Sequence, residues 1–133
     1  MIINPVAIVV ATIACMGLGS LWYGPLFGEK WMALVGIKKD TISKADMKIA
    51  MTQGLIATLL SNVFLALLLL LASTQTLADA VKISLVLALA TGVPGALHDI
   101  AWERKPLTLF YMNSAHCILN FALAAVIIQA LSQ

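Results

Sequence analysis

Hydrophobic residues form four long blocks along this chain, and the charged residues lie almost entirely between the blocks. Three long blocks contain no Asp, Glu, Lys or Arg: residues 1–28, 49–78 and 106–133. A fourth block, residues 83–97, is shorter. About 20 apolar residues in a helix cross the ~30 Å hydrocarbon layer of a bilayer. The pattern therefore predicts an all-α integral membrane protein, a four-helix bundle with spans at about residues 4–23, 48–72, 80–102 and 107–131.

The connection between the first two predicted spans, residues 24–47, is the only long one. Its apolar residues are interspersed with charged ones, which is typical of a short amphipathic helix on a membrane surface. Gly36 is expected to end this helix, and Ser43 with Asp46 three residues later predicts a cap for the second span. The four spans use most of the 133 residues. We therefore expect a single transmembrane domain and no extramembrane domain.

Basic side chains are unequally distributed between the two sides of the predicted membrane. The first loop contains five lysines and the third contains Arg104 and Lys105, whereas Lys82 alone flanks the second loop. The first and third loops share a side, and the positive-inside rule places that side in the cytoplasm. We therefore expect a multi-pass membrane protein with both termini outside. The lipid bilayer is the expected partner of the four spans. Nucleic acid is not an expected partner, because acidic residues are interspersed among the lysines.

Small residues recur on one face of the first span and on one face of the third. Such ridges let membrane helices approach closely. One ridge could pack within the chain and the other between copies, which predicts a homo-oligomer. Pro94 also predicts a kink in the third span. The ridge residues are Ala7, Ala11, Cys15 and Gly19 in the first span and Ala88, Gly92 and Ala96 in the third.

Among the polar residues of the second and fourth spans, the strongest candidates for a site are Asn62, Asn113, His116 and Asn120. A polar side chain in hydrocarbon is costly unless it has a partner, so these residues are expected to face the bundle interior. Asn62 and His116 lie at similar depths, at about 1.5 Å of rise per residue, and could touch. Two interpretations remain open: an interhelical hydrogen bond that fixes packing, or a polar pathway for a substrate, proton or ion.

A second group lies at the cytoplasmic end of the third span, where His98 and Asp99 precede Glu103 by about one turn. A histidine beside carboxylates at an interface could relay protons. The alternative is a set of interfacial salt bridges with Arg104, Lys105 or a lysine of the first loop. The turn between the third and fourth spans is expected to bring Asn113 within reach of His98.

The sequence contains no motif for catalysis or for a bound cofactor. HExxH, CxxC, a glycine-rich phosphate loop and a serine-nucleophile motif are all missing. His98 and His116 lie on different spans at different depths, so no metal site and no cofactor is expected. The large aromatic residues near the loops are expected to be interface anchors rather than a ligand cage. These residues are Trp22, Tyr23, Trp31 and Trp102.

Two segments resemble the signatures of domain-of-unknown-function family 1761, which comprises small bacterial four-helix membrane proteins. Residues 19–36 read GSLWYGPLFGEKWMALVG, and residues 103–107 read ERKPL. Gly24 stands where serine is common in the family. The resemblance spans nearly the whole chain and implies the fold and the membrane location, but no established activity. The matching positions are Trp22, Tyr23, Pro25, Phe27, Gly28, Lys30, Trp31, Met32, Leu109, Phe110, Asn113 and His116.

Three functions are compatible with these features. The first is a homo-oligomeric transporter or channel component with a polar site on the second to fourth spans. The second is a structural or regulatory membrane subunit, in which the buried polar residues only specify helix packing and the partner protein is unknown. The third is a membrane enzyme that uses His98, Asp99 and Glu103 on a lipophilic substrate at the inner interface.

Overall fold

The computed structural model describes residues 2–133, and this part of the chain is helical without any strand. Four of its helical segments are long and apolar enough to cross a membrane, which confirms the predicted fold class. A fifth, shorter helix, Gly28–Val35, lies in the first loop and is called the loop helix below. The four spans are Pro5–Leu26 (span 1), Lys44–Leu71 (span 2), Leu77–Glu103 (span 3) and Leu107–Leu131 (span 4).

Local signals in the sequence determine where several helices begin and end. The side chain of Asn4 accepts hydrogen bonds from the first turn of span 1. Ser43 and Asp46 form the reciprocal cap predicted for span 2, each side chain bonding the other residue's backbone N–H. Gly36 ends the loop helix with φ at +78°, a left-handed conformation that favours glycine.

Both spans that contain an internal proline include a π-helical turn. The regular helix of span 1, Pro5–Leu21, ends close to the predicted residue 23, and a π-helical turn, Trp22–Leu26, follows it with a kink at Gly24, whose φ of −116° and ψ of −107° are not helical. The N–H of Phe27 donates to the carbonyl of Trp22 across Pro25, which has no N–H of its own. In span 3 a second π-helical turn, Ala88–Gly92, comes just before Pro94 and separates Leu77–Leu87 from Val93–Glu103. Span 3 is thus interrupted where Pro94 predicts it.

Hydrogen bonds between loops define the two ends of the bundle. At one end, called the terminal end, the N–H of Ile2 donates to the carbonyl of Ser132, and Gln133 reaches the carbonyl of Gln75. At the opposite end, called the loop end, the ammonium group of Lys105 donates to the carbonyl of Val35 at 2.8 Å. The spans therefore alternate in direction, as four consecutive membrane crossings require.

Span 4 contacts each of the other spans. The small-residue ridges of spans 1 and 3 lie against span 4 or within the core of the bundle. Ala7, Ala11 and Cys15 are buried, and the thiol of Cys15 lies 3.6 Å from the carbonyl oxygen of Asn120. On span 3, Ala88 is buried, and a methyl group on Gly92 would collide with the Cys117 sulfur. Both ridges thus make contacts within one chain, and the expected homo-oligomer stays a prediction.

Span 2 packs against the bundle through only one of its halves. From Asn62 onward it contributes Leu65, Ala66 and Leu69 to the core. From residue 44 to residue 61 every residue is exposed except Gly54 and Thr58, which are partly buried. The loop-end half of span 2 therefore stands apart from span 4 and leaves a space between them.

Candidate functional site

A cleft of about 1180 Å³ occupies the space beside the loop-end half of span 2. The loop helix and the turn after it form the mouth of the cleft. Its walls extend along span 2 from Met47 to Thr58, which is about 16 Å at 1.5 Å of rise per residue. The cleft thus runs from the loop end to the middle of the bundle. Span 1 contributes Cys15, Met16, Gly19, Ser20 and Tyr23, span 2 contributes Met47, Ala50, Met51, Gly54 and Thr58, and span 4 contributes Asn113, His116 and Asn120.

Methionine is the most frequent apolar residue in the lining of the cleft. Four of the six methionines in the chain line it, namely Met16, Met32, Met47 and Met51. Their unbranched side chains adapt to ligands of different shapes and can move to admit them. The hydroxyl of Thr58 donates to the sulfur of Met16 at 3.6 Å, which places a span 1 side chain against span 2 at the inner part of the cleft. The walls are thus apolar and deformable.

The inner end of the cleft is polar because Asn113, His116 and Asn120 share one face of span 4. The hydroxyl of Tyr23 donates to Oδ1 of Asn113 at 2.8 Å. Nε2 of His116 and Oδ1 of Asn120 are shielded from solvent and have no hydrogen-bond partner among residues 2–133. Leaving such a group unpaired in a nonpolar interior costs about 1–3 kcal/mol. The inner end therefore offers hydrogen-bonding capacity that the described part of the chain does not use.

An aromatic cluster surrounds His116. The imidazole ring lies 5.0 Å from the Tyr23 ring and 6.0 Å from the Trp22 ring, measured between centroids. Trp31 of the loop helix packs edge-on against Tyr23 at 5.6 Å. Trp22 and Tyr23 contact this histidine, and Trp31 joins the cluster through Tyr23. Trp102 lies outside the cluster and is 85% exposed. The expected role of these four residues as interface anchors stays a prediction.

Asn62 lies outside the cleft, in the terminal half of the bundle. Its Nδ2 donates to the hydroxyl of Thr12 on span 1 at 3.1 Å, and both residues are buried. The expected Asn62–His116 contact is not formed, because span 1 provides the partner for Asn62 while His116 packs on the aromatic rings of the same span. The four candidate residues thus form two separate groups rather than one continuous polar face.

His98, Asp99 and Glu103 are exposed on the surface of span 3 and do not line the cleft. In the described part of the chain they form no ion pair, and Lys105 donates to the carbonyl of Val35 instead. Asn113 lies against Tyr23 rather than His98. No group of three His, Cys, Asp or Glu residues within residues 2–133 is arranged to hold a metal ion.

Sequence reasoning missed Trp22 and Tyr23 as neighbours of His116, although one signal was present for Tyr23. Residues 7, 11, 15 and 19 recur every fourth position on span 1, and position 23 continues the series. A Cβ atom placed on Gly19 would lie 3.6 Å from Nε2 of His116, so the ridge faces this histidine directly. Extending the ridge by one turn would have placed Tyr23 on the same face.

Comparisons with known proteins agree with this architecture. The family model described as protein of unknown function (DUF1761) matches residues 6–129, which is nearly the whole chain. No curated protein and no solved structure matches the chain. The matched region includes spans 2 and 3, nearly all of spans 1 and 4, the loop helix and every residue that lines the cleft. The chain therefore belongs to the DUF1761 family, whose function is unknown.

Proposed function

We propose that this protein is a small membrane transport component that binds its solute in the cleft. The observation that carries the proposal is the cleft itself, because its apolar, methionine-rich walls lead to unpaired polar groups near the middle of the bundle. A bundle that served only as a packing element would gain nothing from leaving these groups unpaired. A binding site recovers that cost when a ligand satisfies them.

Transport by alternating access requires a site that is open to only one side of the membrane at a time. The two ends of this bundle differ in this respect. The cleft is open at the loop end. At the terminal end Leu65, Leu69 and Ile128 are fully buried, and Gln129 is hydrogen-bonded to Thr74 in the interior. This conformation thus corresponds to access from one side only. Transport requires a second conformation in which the terminal half opens.

We infer that the loop end faces the cytoplasm and that the protein lies in the bacterial inner membrane. Seven of the eight basic side chains belong to the first loop, its junction with span 2, and the turn between spans 3 and 4. The positive-inside rule retains such segments on the cytoplasmic side. The cleft would then take up its solute from the cytoplasm or from the inner leaflet.

Cysteine labelling from each side of the membrane tests both proposals without knowledge of the solute. Single cysteines are introduced in a Cys15→Ala/Cys117→Ala background, and a membrane-impermeant thiol reagent is added to oriented vesicles. Ser20→Cys is exposed in the cleft, and Ala124→Cys lies one turn beyond Asn120 at the closed end. We expect rapid labelling of the first from the cytoplasmic side and slower labelling of the second from the opposite side.

Ser84→Cys is the matched control, because Ser84 is fully buried on span 3 and does not line the cleft. It should stay unlabelled from both sides while the protein is folded. If Ala124→Cys is never labelled from the terminal side, alternating access is wrong and the cleft belongs to a binding protein that does not transport. If Ser20→Cys reacts only from the terminal side, the inferred orientation is inverted.

A structural or regulatory subunit is the second candidate, and two satisfied polar contacts favour it. The Asn62–Thr12 and Tyr23–Asn113 hydrogen bonds each join two spans. Interhelical bonds of this kind typically contribute about 0.6 kcal/mol in membranes and specify helix register. Crosslinking in native membranes separates the candidates, since a subunit should yield a different protein as partner. Recovery of this chain alone would count against the second candidate.

A further inference from the structure

We infer that the ligand of the cleft is an uncharged lipophilic molecule that carries a hydroxyl group at its buried end. The inference rests on the proposed binding role of the cleft and adds the chemical class of the ligand. Three features lead to it: the apolar walls, the distribution of charge along the cleft, and the hydrogen-bonding groups left without partners at its inner end.

The walls select a lipophilic molecule of moderate size. A volume of about 1180 Å³ exceeds the ~300–1,000 Å³ typical of sites for small ligands, and the cleft is open at its mouth. Met47 and Met51 are exposed on the loop-end half of span 2. A molecule can therefore enter from the loop end or between span 2 and its neighbours. Flexible methionine side chains can move aside to let it reach the inner end.

The distribution of charge excludes an ion as the buried group of the ligand. The charged residues that line the cleft are Glu29, Lys30 and Lys39, all in the first loop at the mouth. The lining residues from spans 1, 2 and 4 include no Asp, Glu, Lys or Arg. A charge placed near the middle of a bilayer without a counter-charge is strongly disfavoured. The group that reaches the inner end must therefore be neutral.

The unpaired atoms at the inner end specify a group that can both donate and accept. Oδ1 of Asn120 accepts only, so its partner must provide an O–H or N–H. Nε2 of His116 is the second unpaired atom, and a neutral imidazole nitrogen donates or accepts according to its tautomer. A hydroxyl has one donor and two acceptor lone pairs, so it can donate to Oδ1 of Asn120 while it accepts from the N–H of the His116 tautomer that is protonated at Nε2. A carbonyl or ether oxygen cannot donate to Asn120 and satisfies at most the histidine.

A series of naphthalene compounds tests the inference because its members share one ring system. The probes are 1-naphthol, 1-methoxynaphthalene, naphthalene, 1-naphthoate and 1-naphthylmethylammonium. The protein is placed in lipid nanodiscs with ¹³C-labelled methionine methyl groups, and each probe is titrated by NMR. Met16 and Met47 line the cleft, whereas Met112 lies outside it and reports binding elsewhere. We expect 1-naphthol to shift the cleft methyls at about tenfold lower concentration than the other four, the effect of one additional buried hydrogen bond.

Variants then assign the preference to the inner end of the cleft. In Asn120→Leu the preference for 1-naphthol over 1-methoxynaphthalene should fall to less than threefold. Thr91→Val is the control, because it removes a hydroxyl from an exposed position on span 3. It should retain the tenfold preference. Because the probe series is informative with the unchanged protein, the test does not depend on the folding of a variant.

The possible failures are distinguishable. If 1-naphthoate or 1-naphthylmethylammonium shifts the cleft methyls at the lowest concentration, the ligand class is wrong and the binding role stands. Equal shifts by 1-naphthol, 1-methoxynaphthalene and naphthalene also refute the hydroxyl preference. If no probe shifts Met16 or Met47 more than Met112, the cleft does not bind such molecules and the inference fails. The cysteine labelling then decides independently whether the transport proposal survives.

Discussion

The two halves of this bundle contain similar apolar residues but are organised differently. In the terminal half, Leu65, Leu69 and Ile128 are fully buried, and the buried polar groups of Asn62 and Gln129 have partners. In the loop half, span 2 is exposed on nearly all sides and the polar inner end of the cleft has unpaired atoms. The comparison indicates a division of roles, in which one half supplies stability and the other half supplies a site.

Replacing a leucine in each half of span 2 should give the largest contrast between them. Leu65→Ala removes a fully buried side chain and should lower the free energy of unfolding by about 2–4 kcal/mol, because the cavity cannot collapse completely. Leu55 lies on the same helix with 47% of its surface exposed, so Leu55→Ala should change the free energy of unfolding by less than ~0.5 kcal/mol. Unfolding in mild detergent, followed by circular dichroism, measures both. Equal losses would mean that the loop half of span 2 is packed after all.

Gly92→Ala tests the junction of spans 3 and 4, which both halves share. The added methyl group collides with the sulfur of Cys117, so we expect a loss of about 1–3 kcal/mol in unfolding free energy. Cys117→Ala removes that sulfur and should restore most of the loss in the double variant. Thermal denaturation of the two single variants and the double variant measures the coupling. Additive losses without any rescue would show that the helices approach differently from the structure.

Two hydrogen bonds, one in each half of the bundle, give the smallest expected difference in unfolding free energy. Gln129→Leu removes the buried side chain that is bonded to Thr74 at the terminal end and should cost about 1–2 kcal/mol. Asn113→Leu removes the acceptor of the Tyr23 hydroxyl beside the cleft and should cost about 0.5–1 kcal/mol, since this contact is only partly buried. Thermal denaturation measures the loss of unfolding free energy in each variant. A larger loss for Asn113→Leu than for Gln129→Leu would place the more rigid polar network in the loop half.

Local sequence signals predicted the elements of the fold, because each depends on a few adjacent residues. The charge-free blocks predicted the four spans, Gly36 the end of the loop helix, and Ser43 with Asp46 the cap of span 2. The predicted end of the first span at residue 23 agrees with the kink at Gly24. The π-helical turn around Pro25 was not predicted, because its stability depends on hydrogen bonds and packing beyond the proline itself.

The candidate site was harder to predict because a helical face does not identify its neighbour. Asn113, His116 and Asn120 were placed on one face correctly, and they line the cleft together. The partner of Asn62 depends on how spans 1, 2 and 4 are arranged around each other, which periodicity does not encode. Residues such as Trp22 suit a membrane interface and an aromatic cluster equally well by composition, and only the tertiary arrangement separates these environments.

The one-sided packing of span 2 has a mechanical consequence. Its exposed segment, residues 44–61, is about 27 Å long at 1.5 Å of rise per residue, and tertiary contacts hold it mainly from Asn62 onward. Because Lys44–Leu71 is one uninterrupted helix, a tilt of about 10° of the whole span about its packed half would displace Lys44 by about 5 Å. A small rearrangement near the middle of the membrane is thereby amplified into a large change in the width of the cleft mouth.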